Sequence, residues 1–136
     1  SIKLILCLLL LLNVCICEDA KQVRTFEQSD GESGINVRLG EEFALKMKSN
    51  PSTGYSWKFL NQEETKDSVE FLRQRFENPS AVLGRPPLIG AGGYTYYHFK
   101  AVGVTNEPVS LKFSYARHFS NLLKAPVTSV YKINVN

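Results

Sequence analysis

The sequence predicts an all-β sandwich of about seven to eight short antiparallel strands. Apolar and polar residues alternate in short segments along the chain beyond residue 31, which gives each segment one face for a core. Short stretches rich in Gly, Pro, Asn and Ser separate these segments and are typical of turns. About seven such strands in a domain of this length indicate a sandwich of the immunoglobulin-like kind, in which loops gather at the two ends.

Seven segments are assigned as strands. Three of them alternate regularly, and one, residues 94–101, is dense in the Tyr, Thr and Phe that favour strands. Residues 61–68 are charged and have room for one helical turn, although no 3.6-residue period is sustained there. The assigned strands are residues 35–39, 42–48, 57–60, 69–72, 94–101, 109–115 and 131–135.

The first 17 residues have the pattern of a secretory signal peptide. Lys3 precedes an apolar run at residues 4–12, and the small residues Cys15 and Cys17 stand at the −3 and −1 positions for cleavage before Glu18. The run is too short for a stable membrane anchor. We therefore expect entry into the secretory pathway, no anchor after cleavage, and a final location outside the cell or in lysosome- or phagosome-type vesicles.

Removal of residues 1–17 leaves a polar segment, residues 18–30, that is predicted to be loose, followed by a single domain at residues 31–136. All three cysteines lie in the removed segment. The remaining chain therefore has no thiol nucleophile, disulfide or thiolate metal ligand. Loss of Lys3 lowers the formal charge from +3 to +2. With so little net charge and no basic run, nucleic acid and anionic membrane are excluded as main partners.

A first loop, called the wedge below, consists of Asn50, Pro51, Ser52, Thr53, Gly54 and Tyr55. Pro51 fixes φ near −65° and Gly54 can adopt a positive φ, so the loop is predicted to be tight and preorganised. Its tip carries only the small side chains of Ser52 and Thr53. Trp57 is expected to pack at the base of the loop. An ordinary β-turn beside a buried Trp57 is the alternative interpretation.

Two further loops are distinctive. Prolines precede a glycine cluster in the second, and glycines let another backbone approach closely, as strand-like docking of a partner requires. A phosphate-binding loop is excluded there, because Gly-x-Gly-x-x-Gly and a Lys-Ser/Thr pair are both missing. In the third loop a cation stands next to two rings, a typical hot-spot composition, although Arg117 could instead pair with a surface carboxylate. The residues of the second loop are Leu88, Ile89, Gly90, Ala91, Gly92 and Gly93. Those of the third loop are Arg117, His118 and Phe119.

Three motifs carry a family resemblance. They are Asn-Pro-Ser-Thr-Gly-Tyr-Ser-Trp at 50–57, Gly-Ala-Gly-Gly at 90–93 and Tyr-Ala-Arg-His-Phe at 115–119. In this order the sequence resembles the chagasin-type inhibitors of papain-like cysteine proteases, and the predicted signal peptide makes it similar to the amoebiasin branch. The third motif departs from the family's usual Arg-Pro-Trp, because Arg117 is followed by His118 and Phe119, so the proline is absent and the aromatic ring is smaller.

The resemblance implies a sandwich that presents the three loops side by side at one end and blocks the cleft of a papain-like enzyme, with cathepsin-L-like enzymes favoured. It implies that Thr53 and Gly54 lie nearest the nucleophilic cysteine and histidine of the protease. The loop at 88–93 would line one wall of the cleft and the loop at 117–119 the other. A monomeric inhibitor without a cofactor or metal is expected, and all residues of the three loops named above are its implied binding residues.

Two other function classes, catalysis and carbohydrate binding or adhesion, fit the sequence less well. For catalysis, Ser114 or Ser120 could stand beside His118, but no orienting carboxylate or oxyanion-hole motif accompanies them. His98 and His118 lack the spacing of a zinc site, and His98 is predicted to be an exposed or satisfied strand residue. A secreted adhesion or carbohydrate-binding sandwich that uses Trp57 and the tyrosines as a stacking platform suits the fold, but it leaves the glycine cluster unexplained.

Overall fold

The structure is a computed structural model that describes residues 22–79, 84, 92–117 and 127–136. In these residues, eight strands form two four-stranded sheets packed face to face. None of the described helices is long and apolar enough to cross a membrane. The strands are β1 (Arg24–Phe26), β2 (Ile35–Val37), β3 (Glu42–Ser49), β4 (Tyr55–Phe59), β5 (Val69–Glu77), β6 (Gly93–Ala101), β7 (Val109–Arg117) and β8 (Ser129–Val135); the helices are α1 (Gln28–Ser33), a 3₁₀ turn (Pro51–Thr53) and α2 (Gln62–Thr65).

The strand order is β1-β3-β6-β5 in the first sheet and β2-β8-β7-β4 in the second. The predicted sandwich is thus confirmed, but its purely antiparallel pairing is wrong for two strands. β1 runs parallel to β3, and β2 runs parallel to β8. Neither strand is joined to its neighbour by a hairpin, so the chain does not impose an antiparallel direction on these edge pairs.

All seven predicted strands are present, and the predicted helical turn is α2. The largest difference in length concerns β5, which was predicted for residues 69–72 and continues to Glu77. Its register shifts between Phe71 and Arg73, as a β-bulge requires. Beyond this bulge the strand is mostly exposed and charged, because it forms the edge of the first sheet. An exposed edge strand has no apolar alternation from which its end could be predicted.

The N-terminal segment predicted to be loose is ordered from Arg24 onward, and the prediction is wrong for residues 24–30. Arg24–Phe26 pairs with Phe43–Leu45 as β1. α1 follows with a capping box in which the Glu27 backbone N–H donates to the Asp30 carboxylate at 2.8 Å. Gly31 of α1 is buried against the ring of Tyr131, where a Cβ would overlap the ring. Tertiary packing therefore orders a segment whose composition is polar.

The core lies between the sheets and is rich in aromatic rings. Phe43, Phe99 and Phe113 are fully buried, and their rings contact one another in sequence, with centroids 5.8 Å and 6.4 Å apart. Edge-to-face and offset contacts of this kind add about 0.5–1.5 kcal/mol each to the burial of the rings. The alternating apolar residues of β3, β7 and β8 all face this core, as their sequence pattern predicts.

His98 lies on the outer face of the first sheet and is 5% exposed. Arg75 of β5 donates from Nε to Nε2 of His98 at 3.2 Å. Nδ1 of His98 faces Arg73 Nη2 at 3.3 Å and the Glu42 carboxylate at 3.5 Å. Burial and the charges of Arg73 and Arg75 lower the pKa of His98, and Glu42 of β3 only partly opposes them. The prediction that His98 is a satisfied strand residue is confirmed.

This environment makes stability sensitive to acid. An unfolded histidine takes up a proton near pH 6.5, whereas folded His98 does so only at lower pH. The unfolded chain therefore binds more protons in this window, and the free energy of unfolding should fall as the pH drops below about 6.5. Urea unfolding at pH 7.5 and pH 5.5 measures this loss. The His98→Gln variant should lose less stability between the two pH values, and an equal loss in both proteins would contradict the assignment to His98.

Candidate functional site

The wedge crosses from one sheet to the other at a single end of the sandwich. It leaves β3 of the first sheet after Ser49 and enters β4 of the second sheet at Tyr55. Ser49 pairs with Gly93, where the second loop ends, and Tyr55 pairs with Arg117, where the third loop begins. The described parts of the three predicted loops therefore meet at this end, which is called the wedge end below.

Internal hydrogen bonds order the wedge. The Thr53 hydroxyl donates to the Asn50 carbonyl at 2.7 Å, and the Ser52 hydroxyl donates to the Asn50 side-chain oxygen at 2.6 Å. Gly54 has φ +79° and ψ 0°, a left-handed conformation that favours glycine, and its N–H donates to the Pro51 carbonyl at 3.1 Å. Residues 51–54 are all exposed. The predicted tight turn is confirmed.

Aromatic rings form the base of the wedge. Trp57 is 8% exposed, and its indole N–H donates to the Lys48 carbonyl at 2.9 Å. Its ring stacks on Tyr115 at a centroid distance of 4.9 Å, and Tyr115 contacts Tyr55 at 5.4 Å. Trp57 thus packs at the base of the loop, as predicted.

Tyr115 connects both ends of the wedge and was not predicted as a functional residue. Its hydroxyl accepts a hydrogen bond of 3.0 Å from the backbone N–H of Asn50, at the start of the wedge. Its ring contacts Tyr55, at the end of the wedge. The alternation in β7 was a usable signal, because it places Tyr115 on the core-facing side beside the third loop, where a tyrosine hydroxyl needs a polar partner.

The glycines of the second loop serve the protein's own packing. A Cβ at Gly93 would overlap the Glu77 carbonyl oxygen and lie 2.7 Å from the Phe76 ring. A Cβ at Gly92 would lie 3.1 Å from the Ser49 carbonyl oxygen. The close backbone approach inferred from the glycine cluster thus involves β5 and β3 of the same chain at these two positions. Leu88, Ile89, Gly90 and Ala91 lie outside the described residues.

Arg117 is the described residue of the third loop. It is exposed, and its guanidinium lies over the ring of Tyr55, 5.3 Å from the centroid. This cation–π contact joins the third loop to the end of the wedge. His118 and Phe119 lie outside the described residues.

The pairing of Ser114 or Ser120 with His118 is not tested by the structure, because Ser120 and His118 lie outside the described residues. His98 lies in the first sheet, whereas Ser114 is buried in the second. No group of three or more His, Cys, Asp or Glu side chains in the described ranges could hold a metal ion. The wedge end offers hydroxyl groups, backbone groups and cations, which are groups suited to contact with another molecule.

Two comparisons of the sequence with known proteins give matches. The sequence profile described as "Chagasin family peptidase inhibitor I42" matches residues 36–135. Chagasin of Trypanosoma cruzi is 26% identical over 81 residues, which cover 58% of this chain and 69% of chagasin.

Three solved structures share the fold. The cysteine protease inhibitor EhICP2 from Entamoeba histolytica superposes with a TM-score of 0.60 and 14% identity, over 84% of this chain and 95% of that one. Amebosin has a TM-score of 0.53 and 20% identity, over 85% and 99% of the two chains. PbICP-C, solved in complex with falcipain-2, has a TM-score of 0.53 and 17% identity, over 86% and 93%.

Proposed function

Because the chain belongs to the chagasin family of peptidase inhibitors, we propose that it is a reversible, tight-binding inhibitor of papain-like cysteine proteases that occludes the active-site cleft. The family consists of inhibitors, so the chain is not an enzyme. The proposed contact surface is the wedge, flanked by residues 88–93 and 117–119. The observation that carries the proposal is the exposed wedge, whose backbone is ordered by its own hydrogen bonds.

Preorganisation is the physical basis of tight binding. A loop that is already ordered loses little conformational entropy on docking, so more of the contact energy appears as affinity. Nanomolar inhibition requires about −12 kcal/mol, which is attainable for an interface of about 1,600 Å². The 3₁₀ turn at Pro51–Thr53 also presents no extended peptide bond to a nucleophile. Inhibition would therefore be competitive, and the inhibitor would remain uncut.

The proposed partner is a cathepsin-L-like enzyme. We propose that the inhibitor is a monomer and that it enters the secretory pathway. The signal-peptide pattern of residues 1–17 supports this route, and the protein would act outside the cell or in lysosome- or phagosome-type vesicles. The alternative function in carbohydrate binding loses its main support, because Trp57 is buried beneath the wedge and is not available as a stacking platform.

The test of the proposed function is a titration of papain-like proteases with the protein lacking residues 1–17. A trypsin-like serine protease serves as control, and electrophoresis shows whether the inhibitor is cut. Inhibition of the cysteine enzymes alone, with intact inhibitor recovered, is expected. A correctly folded protein that inhibits none of several papain-like enzymes would refute the proposal.

A smaller effect is expected from Tyr115→Phe, which removes the hydroxyl that accepts the hydrogen bond of Asn50. One such bond contributes about 0.5–1.5 kcal/mol. Loss of this amount from the bound state should raise the inhibition constant about 2- to 12-fold. Tyr97→Phe is the matched control, because the Tyr97 hydroxyl donates at 2.7 Å to the Trp57 carbonyl and does not touch the wedge. If both variants are destabilised but inhibit like the parent protein, Tyr115 does not position the wedge.

A further inference from the structure

The charges of the described strands are unequally distributed between the two ends of the sandwich. The strand residues at the wedge end are Ser49, Tyr55, Glu77, Gly93 and Arg117. Within three residues of these positions in their own strands stand five basic side chains and one acidic side chain, Glu77. Glu77 is already paired with one of the basic residues, Arg75, at 2.8 Å. We call the basic set the collar; it consists of Lys46, Lys48, Lys58, Arg75 and Arg117.

The collar surrounds the wedge on both sheets. Lys48 is one residue before Ser49, and Lys58 is three residues after Tyr55. Rings of the same sheet hold two of the cations in place, since Lys46 lies 4.1 Å from the Tyr94 ring centroid and Arg75 lies 3.9 Å from that of Tyr96. The summed charge of such a set creates a positive potential around the wedge.

The connections outside the described residues do not reverse this sign. Residues 80–91 and 118–126 join the strands at the wedge end, and their sequences contain Arg85 and Lys124 but no Asp or Glu.

The connections at the opposite end are acidic. The connections there, residues 38–41, 60–68 and 102–108, contain five acidic side chains against Arg38 and Lys66. The acidic set is Glu41, Glu63, Glu64, Asp67 and Glu107. The strands at that end also carry the basic residues Arg24, Lys100, Lys112 and Lys132 against Glu42 and Glu70. That end is therefore close to neutral among the described residues, whereas the wedge end has a clear excess of positive charge.

Helix α1 does not neutralise the collar. It carries Glu27, Asp30 and Glu32 at or near its ends, but it packs beside Tyr131. The β7 partner of Tyr131 is Leu111, six positions before Arg117. At about 3.3 Å per strand residue this is roughly 20 Å below the wedge end, beyond the Debye length of about 8 Å at physiological salt.

We propose that the collar recognises a protease whose cleft is rimmed by acidic side chains and steers the wedge end toward that cleft. This inference rests on the proposed function and adds the electrostatic character of the target. Complementary charge around a binding site mainly raises the association rate, and it does so most strongly at low salt.

The test is stopped-flow association with a papain-like protease that has an acidic cleft rim, at ionic strengths from about 10 to about 500 mM. The parent association rate should fall about 10-fold or more over this range. In Lys48→Glu combined with Lys58→Glu it should fall about 10-fold at low ionic strength and approach the parent value at high ionic strength. The dissociation rate should change less than about two-fold, since rim charges act mainly on association.

The matched control is Lys100→Glu combined with Lys132→Glu. It changes the net charge by the same amount as the collar variant, but at positions far from the wedge. Lys100 pairs with Glu42, which is seven residues from Ser49 at the wedge end of β3. Lys132 pairs with Ser110, which is seven residues from Arg117 at the wedge end of β7. Its association rate should stay within about two-fold of the parent, because screening removes most of the effect at such distances. Thermal unfolding of each variant verifies folding. Lys48→Glu alone, at an exposed position, serves if the double variant does not fold.

The outcomes separate the two proposals. A parent rate that does not depend on salt, or an equal loss in the control variant, would overturn the role of the collar while leaving inhibition intact. If the parent protein inhibits no papain-like enzyme, the proposed function itself fails, and the steering role fails with it.

Discussion

Replacing Thr53 by Asp is expected to raise the inhibition constant against papain-like proteases by about 100-fold or more. The Thr53 hydroxyl donates to the Asn50 carbonyl, and a carboxylate would place an acceptor where a donor is needed. The exposed tip would also carry a charge into the cleft, where an unpaired buried charge costs several kcal/mol. Since 1.4 kcal/mol is a factor of ten, about 100-fold is a conservative expectation.

Inhibition assays and thermal unfolding of the same samples check this result. Thr53→Ser keeps the hydroxyl donor and should inhibit within about three-fold of the parent, because its hydrogen bond to Asn50 is retained. Thr53 is exposed, so both variants should unfold near the parent temperature. A folded Thr53→Asp protein with undiminished inhibition would refute the assignment of the wedge as the inhibitory element.

Gly93→Ala is expected to cause the largest loss of stability, about 3 kcal/mol or more. Its new Cβ would overlap the Glu77 carbonyl oxygen and press on the Phe76 ring, and inserting a group into a closed space forces backbone shifts. For a domain of this size the loss corresponds to a fall of roughly 10 °C or more in the melting temperature. Gly93 pairs with Ser49, so a shift there would also displace the start of the wedge.

Gly92→Ala is the comparison for this prediction. Its Cβ would lie 3.1 Å from the Ser49 carbonyl oxygen, so a movement of a few tenths of an ångström accommodates it. We expect it to cost less than about 1 kcal/mol, in the range of an ordinary surface substitution. Denaturant unfolding measures the free energy of unfolding of both variants. Equal values would contradict the prediction, because they would show that β5 can move away from Gly93.

The sequence predicts the fold wherever one face of a strand is buried and alternation is therefore visible. Phe43 and Phe113, in strands with such alternation, both lie in the core as predicted. β1 could not be predicted because three residues are too few to show a period. α1 could not be predicted because its glycine, Gly31, is required by a tertiary contact: the ring of Tyr131 leaves no room for a side chain there. The parallel direction of the edge strands depends on the path of the chain between the sheets, which local pattern does not encode.

The sequence predicts the parts of the candidate site whose conformation depends on neighbouring residues in the chain. It does not predict the parts that depend on contacts between distant residues. Pro51 and Gly54 determine the turn within the wedge, so its conformation could be inferred from composition. Tyr115 acts through a hydrogen bond to a residue 65 positions away in the chain. The residues of the collar lie on four different strands, and only the topology of the two sheets brings them to the same end of the sandwich. The roles of Leu88–Ala91, His118 and Phe119 remain predictions from the family resemblance.

The path of the wedge between the two sheets has a consequence for a nicked inhibitor. If a protease hydrolysed one peptide bond between Pro51 and Gly54, neither new terminus would be released. The upstream end would remain fixed by the pairing of β3 with β6, and the downstream end by the pairing of β4 with β7. Both severed ends would therefore stay attached to the sandwich, and hydrolysis within the wedge would leave the molecule in one piece.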